Sequence, residues 1–169
     1  MIPVPEAEPA VAFLRRALTA DGAEGMPPHV TLIYPFTDDS QLVPSRIREV
    51  RAVIGRFRSF EFSLAEARRF DNLPHESYVW LAPTPALPFV ELVEALAEAF
   101  PEHPPFGGAF PTIVPHLTVA ASTDDTKLRH VEASLSSRLP IEATATTVSI
   151  MEQVDGTWRL VADAPLAQS

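Results

Sequence analysis

Two five-residue segments share one pattern. Pro28-His29-Val30-Thr31-Leu32 and Pro115-His116-Leu117-Thr118-Val119 each read proline, histidine, aliphatic, threonine, aliphatic, and the histidines lie 116 − 29 = 87 positions apart. In a strand, side chains i and i+2 project from one face about 6.6 Å apart. This spacing points His29 with Thr31 and His116 with Thr118, and turns Val30, Leu32, Tyr34, Leu117 and Val119 toward a core. Related by a pseudo-two-fold axis, the two polar faces converge on one cleft holding two imidazoles and two hydroxyls.

That set suits phosphodiester chemistry. One neutral imidazole takes a proton from the attacking water or hydroxyl, and the other, protonated, gives one to the leaving oxygen. The Thr31 and Thr118 hydroxyls donate to the non-bridging phosphate oxygens, where charge builds in the transition state. Histidine fits because its ordinary pKa of ~6.5 lets both protonation states exist near neutrality. The rival chemistry is a zinc site, which needs three or four ligands and usually a carboxylate or an i, i+4 histidine pair. Neither accompanies these segments and the chain has no Cys, so no metal and no cofactor is expected. His75, His103 and His130 fall in a turn, a proline-rich loop and the polar side of a helix, and are expected at the surface.

Aromatic residues are the candidates for stacking on a base or closing a lid. Tyr78 and Trp80 share a strand face, and Phe106 and Phe110 flank Gly107-Gly108-Ala109 in a loop just before the second histidine segment. Trp158 is expected to pack within the second half.

The elements that must hold these groups follow from periodicity. Glu6 to Leu18 predicts a helix with Ala10, Phe13, Leu14, Ala17 and Leu18 on its packed side. His29 to Phe36, bounded by Pro27-Pro28 and Thr37-Asp38-Asp39-Ser40, predicts a strand. Pro44 opens a helix with Ile47, Val50, Ile54 and Phe57 in step, followed by strands from Phe60 to about Phe70 and from Tyr78 to Leu81. A helix after Pro88 carries Phe89, Leu92, Val93, Leu96 and Phe100. Residues 101–115 read as loop. The order then recurs: a strand over 116–121, a helix capped by Asp124-Asp125 with Leu128, Val131 and Leu135 inward, and a strand from Ile141 to Met151. Asp155-Gly156 is a hairpin turn before Trp158-Arg159-Leu160-Val161.

The unit strand–helix–strand–strand–helix thus appears at 29–100 and again from 116, where the helix at 6–18 is placed to supply the missing last member. The expected fold is α+β and bilobal: two pseudo-symmetric lobes, approximately 21–100 and 116–163 with the segment 1–20, each an antiparallel sheet flanked by helices, forming a single domain of 169 residues around a central cleft.

Composition limits the partners. Thirteen Lys+Arg against 22 Asp+Glu leave a net charge of −9, which argues against coating long nucleic acid. Arg46, Arg48, Arg51, Arg56, Arg58, Arg68 and Arg69 nonetheless fall within 24 residues, as a solvated face or as a landing strip for a short polyanion. Pro or a charge interrupts every apolar run well short of a membrane span, and the opening Met1-Ile2-Pro3-Val4-Pro5-Glu6 lacks the basic start of a secretory leader. A cytoplasmic protein with no membrane partner, acting as a monomer, is expected.

These residues resemble the two-histidine (2H) phosphoesterase superfamily, and within it the 2'-5' RNA ligase-like family. The likeness is carried by the run from Gly25-Met26-Pro27-Pro28-His29 to Tyr34-Pro35-Phe36, by Val114-Pro115-His116-Leu117-Thr118-Val119-Ala120, and by a late Gly156-Thr157-Trp158. The resemblance implies a bilobal fold with a central cleft, no metal, catalysis by His29 and His116, and a phosphate held by Thr31 and Thr118. It also implies a nucleotide or short RNA with a cyclic phosphate end as the partner. Members open 2',3'-cyclic phosphates, cleave 2'-5' linkages, or reversibly join RNA ends. Three readings follow: a metal-independent phosphodiesterase acting on cyclic phosphates or 2'-5' linkages, a 2'-5' RNA ligase needing an extended basic groove, and a non-catalytic nucleotide or RNA binder. Retention of both His and both Thr favours an enzyme.

Overall fold

The computed structural model describes residues 1–37, 42–109 and 112–168. Along the chain run β1 (Ile2–Pro3), α1 (Glu8–Leu18), α2 (Ala20–Ala23), β2 (His29–Val30), α3 (Pro44–Ile54), β3 (Phe60–Phe70) and β4 (Ser77–Thr84). They are followed by α4 (Leu87–Ala99), β5 (Leu117–Ser122), α5 (Asp125–Leu135), β6 (Ile141–Ala145), β7 (Thr147–Val154) and β8 (Thr157–Pro165). All pairings between these strands are antiparallel, so the architecture is α+β.

The larger sheet has the order β5-β4-β3-β6. β1 pairs with β2 and β7 with β8. Met1 and Ser149 exchange two backbone hydrogen bonds, of 3.0 and 2.8 Å, which bring β1 alongside β7 and align these four strands as β2-β1-β7-β8. The two histidine segments therefore occupy corresponding places. β2 ends one layer and β5 ends the other.

Local chemistry accounts for the helices. Pro44 stands at the first helical position of α3, where its missing N–H is no loss, and Val50, Val53 and Ile54 are buried beneath it. α4 buries Phe89, Leu92, Val93 and Leu96. The Asp124 carboxylate caps α5 by accepting from the Thr126 and Lys127 amides, and Leu128, Val131 and Leu135 point inward. At the β7–β8 turn Asp155 and Gly156 both have positive φ, 50° and 71°, as a two-residue turn matching the twist of its strands requires. The helices and both sheets share one continuous buried cluster.

Four expectations are corrected. The strand expected over 29–36 is regular only at His29–Val30, because its partner β1 is two residues long and Pro3, Pro5, Pro28 and Pro35 supply no amide to a ladder. Beyond Thr31 the alternation lapses: Val30 and Leu32 are buried, but Tyr34 is 56% exposed. The run 141–151 is not one strand. It changes partner at Thr146, β6 pairing with β3 and β7 with β8. As a result the sequence repeats do not coincide with the sheets, since the larger sheet combines β3 and β4 with β5 and β6. Finally, α1 buries Val11 and Arg15, while Phe13 is 77% exposed.

Candidate active site

The edge strands β2 and β5 lie against each other, and this contact brings the two histidine segments together. His29 opens β2 opposite Pro3, and His116 directly precedes β5. The two side chains are held alike. His29 Nδ1 is 2.8 Å from the Pro27 carbonyl, and His116 Nδ1 is 2.7 Å from the Val114 carbonyl, each two residues upstream. A carbonyl only accepts, so Nδ1 carries the hydrogen in both rings and Nε2 is left to exchange a proton.

Their surroundings differ. His29 is buried, and burial, followed by the nearby Arg15 charge, lowers its pKa to about 3 against the opposing effect of the Pro27 hydrogen bond. His116 is half-buried and is also lowered, by burial, with the Val114 carbonyl acting against it. His116 is among the groups that act electrostatically on His29. Thr31 and Thr118 are both half-buried, and Leu117 and Val119 on the alternate face are fully buried.

Aromatic rings surround the second histidine. Trp80 lies opposite Thr118 in the β4–β5 ladder and opposite Arg68 in the β3–β4 ladder. Its ring stacks on Phe70 at 4.6 Å and 23°, and His116 meets the edges of both, at 5.8 Å from Trp80 and 5.1 Å from Phe70. The Arg68 guanidinium lies 5.8 Å from the Trp80 ring centroid and also bonds Glu66. Trp80 is thus a buried support for His116 with one face taken by Phe70. Of the two rings that meet His116, the one with outward exposure is Phe70, at the end of the strand predicted from Phe60. Its signal was its parity with Arg68, which places both on the Trp80 face. Tyr78 is 37% exposed and donates its hydroxyl to Glu76. Phe106 is half-buried in a tight turn with φ of 52°, and Phe110 lies outside the described residues. Trp158 meets Tyr34 edge-on at 6.3 Å, and its amide donates to the Glu24 carbonyl.

Arg15 is the second residue that the sequence reading missed. Only 2% exposed, it donates to the Thr118 carbonyl beside the second histidine and to the Met26 and Pro27 carbonyls before the first. Its signal was an arginine in step with buried Val11, one helical turn earlier. A cavity of about 590 Å³ has Arg15, Pro27, Pro28 and Thr146 in its wall, and neither histidine lines it.

Much of the arginine cluster is spent within the fold. Arg46 pairs with Glu49 and Glu102 and covers Phe100, Arg51 donates to the Asp163 carbonyl, and Arg69 is held by Asp125 and Glu132. His103, expected at the surface, packs edge-on against Phe36 at 5.4 Å. Among the described residues no three His, Asp or Glu side chains come together as a metal site requires, and no helix is long and apolar enough to cross a membrane.

Known proteins share this fold. Crystal structures of E. coli LigT complexed with 3'-AMP and with NADP+ superpose with TM-scores of 0.61 and 0.58 at 18% and 17% identity, covering 99% of this chain and 95% of theirs. The crystal structure of a phosphoesterase superposes with a TM-score of 0.56 at 18% identity, covering 99% of this chain and 96% of the other. At such identities the likeness is one of fold. No curated protein matches. The model of the 2'-5' RNA ligase superfamily, however, matches residues 3–157, and the chain belongs to that superfamily.

Proposed function

We propose that this protein is a metal-independent phosphodiesterase that opens 2',3'-cyclic phosphates of nucleotides or short RNA ends by general acid–base catalysis between His29 and His116. The observation that carries the reading is the matched pair of Nδ1–carbonyl bonds, which leaves two Nε2 atoms for proton transfer from two segments that touch. His29, the more strongly held in its neutral form, takes a proton from water as the water oxygen bonds to phosphorus. His116 gives a proton to the ribose 3'-oxygen as the P–O3' bond breaks, leaving a 2'-phosphomonoester. Thr31 and Thr118 donate to the non-bridging oxygens. Cleavage of a 2'-5' linkage uses the same groups with a different leaving oxygen.

The 3'-AMP and NADP+ complexes of LigT support a nucleotide as the substrate class. Both histidines come from one chain, which fits a monomer. A ligase gripping RNA needs spare cations along a groove, whereas Arg46, Arg51 and Arg69 have internal partners. The test offers cyclic mononucleotides and a cyclic-phosphate-ended oligonucleotide at two salt concentrations and identifies the product isomer. Opening of the mononucleotide at both salts, to the 2'-phosphate, is expected. Turnover of the oligonucleotide alone, with joined strands when a 5'-hydroxyl RNA is added, would establish the ligase instead.

A further inference from the structure

We propose that Arg15 is a positioning residue for the histidine pair: its guanidinium ties the approach to β2 to β5 and, by binding the Pro27 carbonyl, holds in place the acceptor that keeps His29 as the Nδ1–H neutral tautomer. The inference rests on the phosphodiesterase reading only for its catalytic consequence. The tie itself is a matter of geometry.

Edge strands leave backbone carbonyls without ladder partners. Arg15 supplies a partner to one such carbonyl on β5 and to two on the approach to β2. It donates through Nη1 to the Thr118 carbonyl and through Nη2 to the Met26 and Pro27 carbonyls, at 3.4 Å each. One rigid planar fork thus spans both histidine segments, a geometry that a lysine point charge does not reproduce. All of these described hydrogen bonds go to neutral carbonyls, so the charge is not cancelled by direct contact with a carboxylate. Glu8 and Asp21 act on it through space.

The position is also built from behind. α2 closes over the end of α1 at Gly22, where a Cβ would stand 2.5 Å from the Arg15 carbonyl carbon and oxygen. Nothing larger than glycine fits there without moving the Arg15 backbone.

The groups that act on His29 are Arg15 from α1, His116 ahead of β5 and the Met1 amine ahead of β1. Burial lowers the Met1 amine to about 5, and His116 is charged only while it holds the proton it donates, so the permanent charge among them is Arg15. A proton arriving at His29 Nε2 would make an imidazolium beside that charge. Arg15 therefore steadies Pro27, the acceptor that sets the tautomer, and opposes protonation through space.

The experiment is an NMR titration of histidine-labelled protein, reading the tautomer and the protonation midpoint of each ring in the wild type, Arg15→Gln and Arg15→Lys. Wild-type His29 should show the Nδ1–H tautomer and no midpoint in the ordinary range of about 5 to 8. In Arg15→Gln its midpoint should rise, and the acid limb of kcat/KM should move up in pH with it. Arg15→Lys keeps the charge and loses the fork, so a mixed tautomer with a smaller rise in midpoint is expected. Should Arg15→Gln fail to fold, Arg15→Lys is decisive through its tautomer. His29 resonances unchanged in a folded variant would overturn the proposal. A wild type inactive on cyclic phosphates whose His29 responds in this way would remove the phosphodiesterase reading and leave the role of Arg15 standing.

Discussion

Trp80 faces Thr118 directly across the β4–β5 ladder, and its ring reaches His116 at 5.8 Å. One side chain thus supports both polar members of the second segment. Removing it takes away a buried indole and the partner of Phe70 together. Trp80→Ala should cost about 3–5 kcal/mol of stability, read by urea unfolding, and reduce turnover more than it raises KM.

Phe70 tests the stacking role separately. It is 36% exposed beside His116, so a base can rest on it with little rearrangement. Phe70→Leu should raise KM for a nucleoside 2',3'-cyclic phosphate by roughly 10-fold, the worth of one stacking contact. A small cyclic phosphodiester without a base should be opened at an unchanged KM. Equal effects on both substrates would show that Phe70 only supports His116.

His29→Ala and His116→Ala should each lower turnover by about 10²–10⁴-fold, the usual worth of one acid–base group. Thr31→Val and Thr118→Val should cost about 10²–10³-fold, as for a lost donor to a developing oxyanion. Circular dichroism should show all four variants folded. Near-normal turnover in either histidine variant would break the pairing.

Stability should depend on pH through His29. Its folded pKa is about 3 against an ordinary value of 6.5, so between these values the unfolded chain binds the extra proton. Unfolding free energy therefore rises with pH across that window, and stability is lost as pH falls below 6.5, with a slope approaching about 1.4 kcal/mol per pH unit. His29→Gln should show a flatter profile in urea unfolding from about pH 4 to 7.5. The lowered pKa of His116 acts in the same direction. As the proposed acid, it also draws the alkaline fall of kcat/KM down from where an ordinary histidine would place it.

The helices and the long strand were legible because their signals are local. Asp124 caps α5, Pro44 opens α3, and Phe60, Phe62 and Leu64 alternate with polar residues along β3 up to the bulge between Leu64 and Glu66. The histidine segments were legible because the same five-residue pattern occurs twice. What escaped depends on partners distant in sequence. No Gly or Pro marks Thr146, where the chain leaves β3 for β8, and the change follows from which strand lies alongside. Arg15 lies off the apolar stripe that periodicity predicts through Phe13 and Leu14, and only the meeting of β2 with β5 gives its buried guanidinium carbonyls to bind. Phe70 needed the β3–β4 register to place it beside Trp80.

Turnover should continue in excess EDTA, since the proposed chemistry moves protons between imidazoles. Activity abolished by chelation and restored by zinc or manganese would contradict it. With one phosphate held by two Thr and two His, KM for a mononucleotide should change little with salt, against a fall in log K of ~0.7 per phosphate contact per decade for a multi-phosphate grip.

The exchange of strands between the two repeats sets how this chain reaches its native state. Phe60 pairs with Ala145 across 85 positions (145 − 60), and Met1 meets Ser149 across 148. Such remote closures are paid in chain entropy before they return any contact, which makes for a high contact order and slow folding. A polypeptide emerging from the ribosome holds β3 and β4 with open flanks until β5 and β6 arrive, and β1 waits longer still for β7. Severed within 101–115, the halves should each remain unstructured alone and regain the histidine pair only when mixed. The duplicated segments thus behave as one cooperative unit.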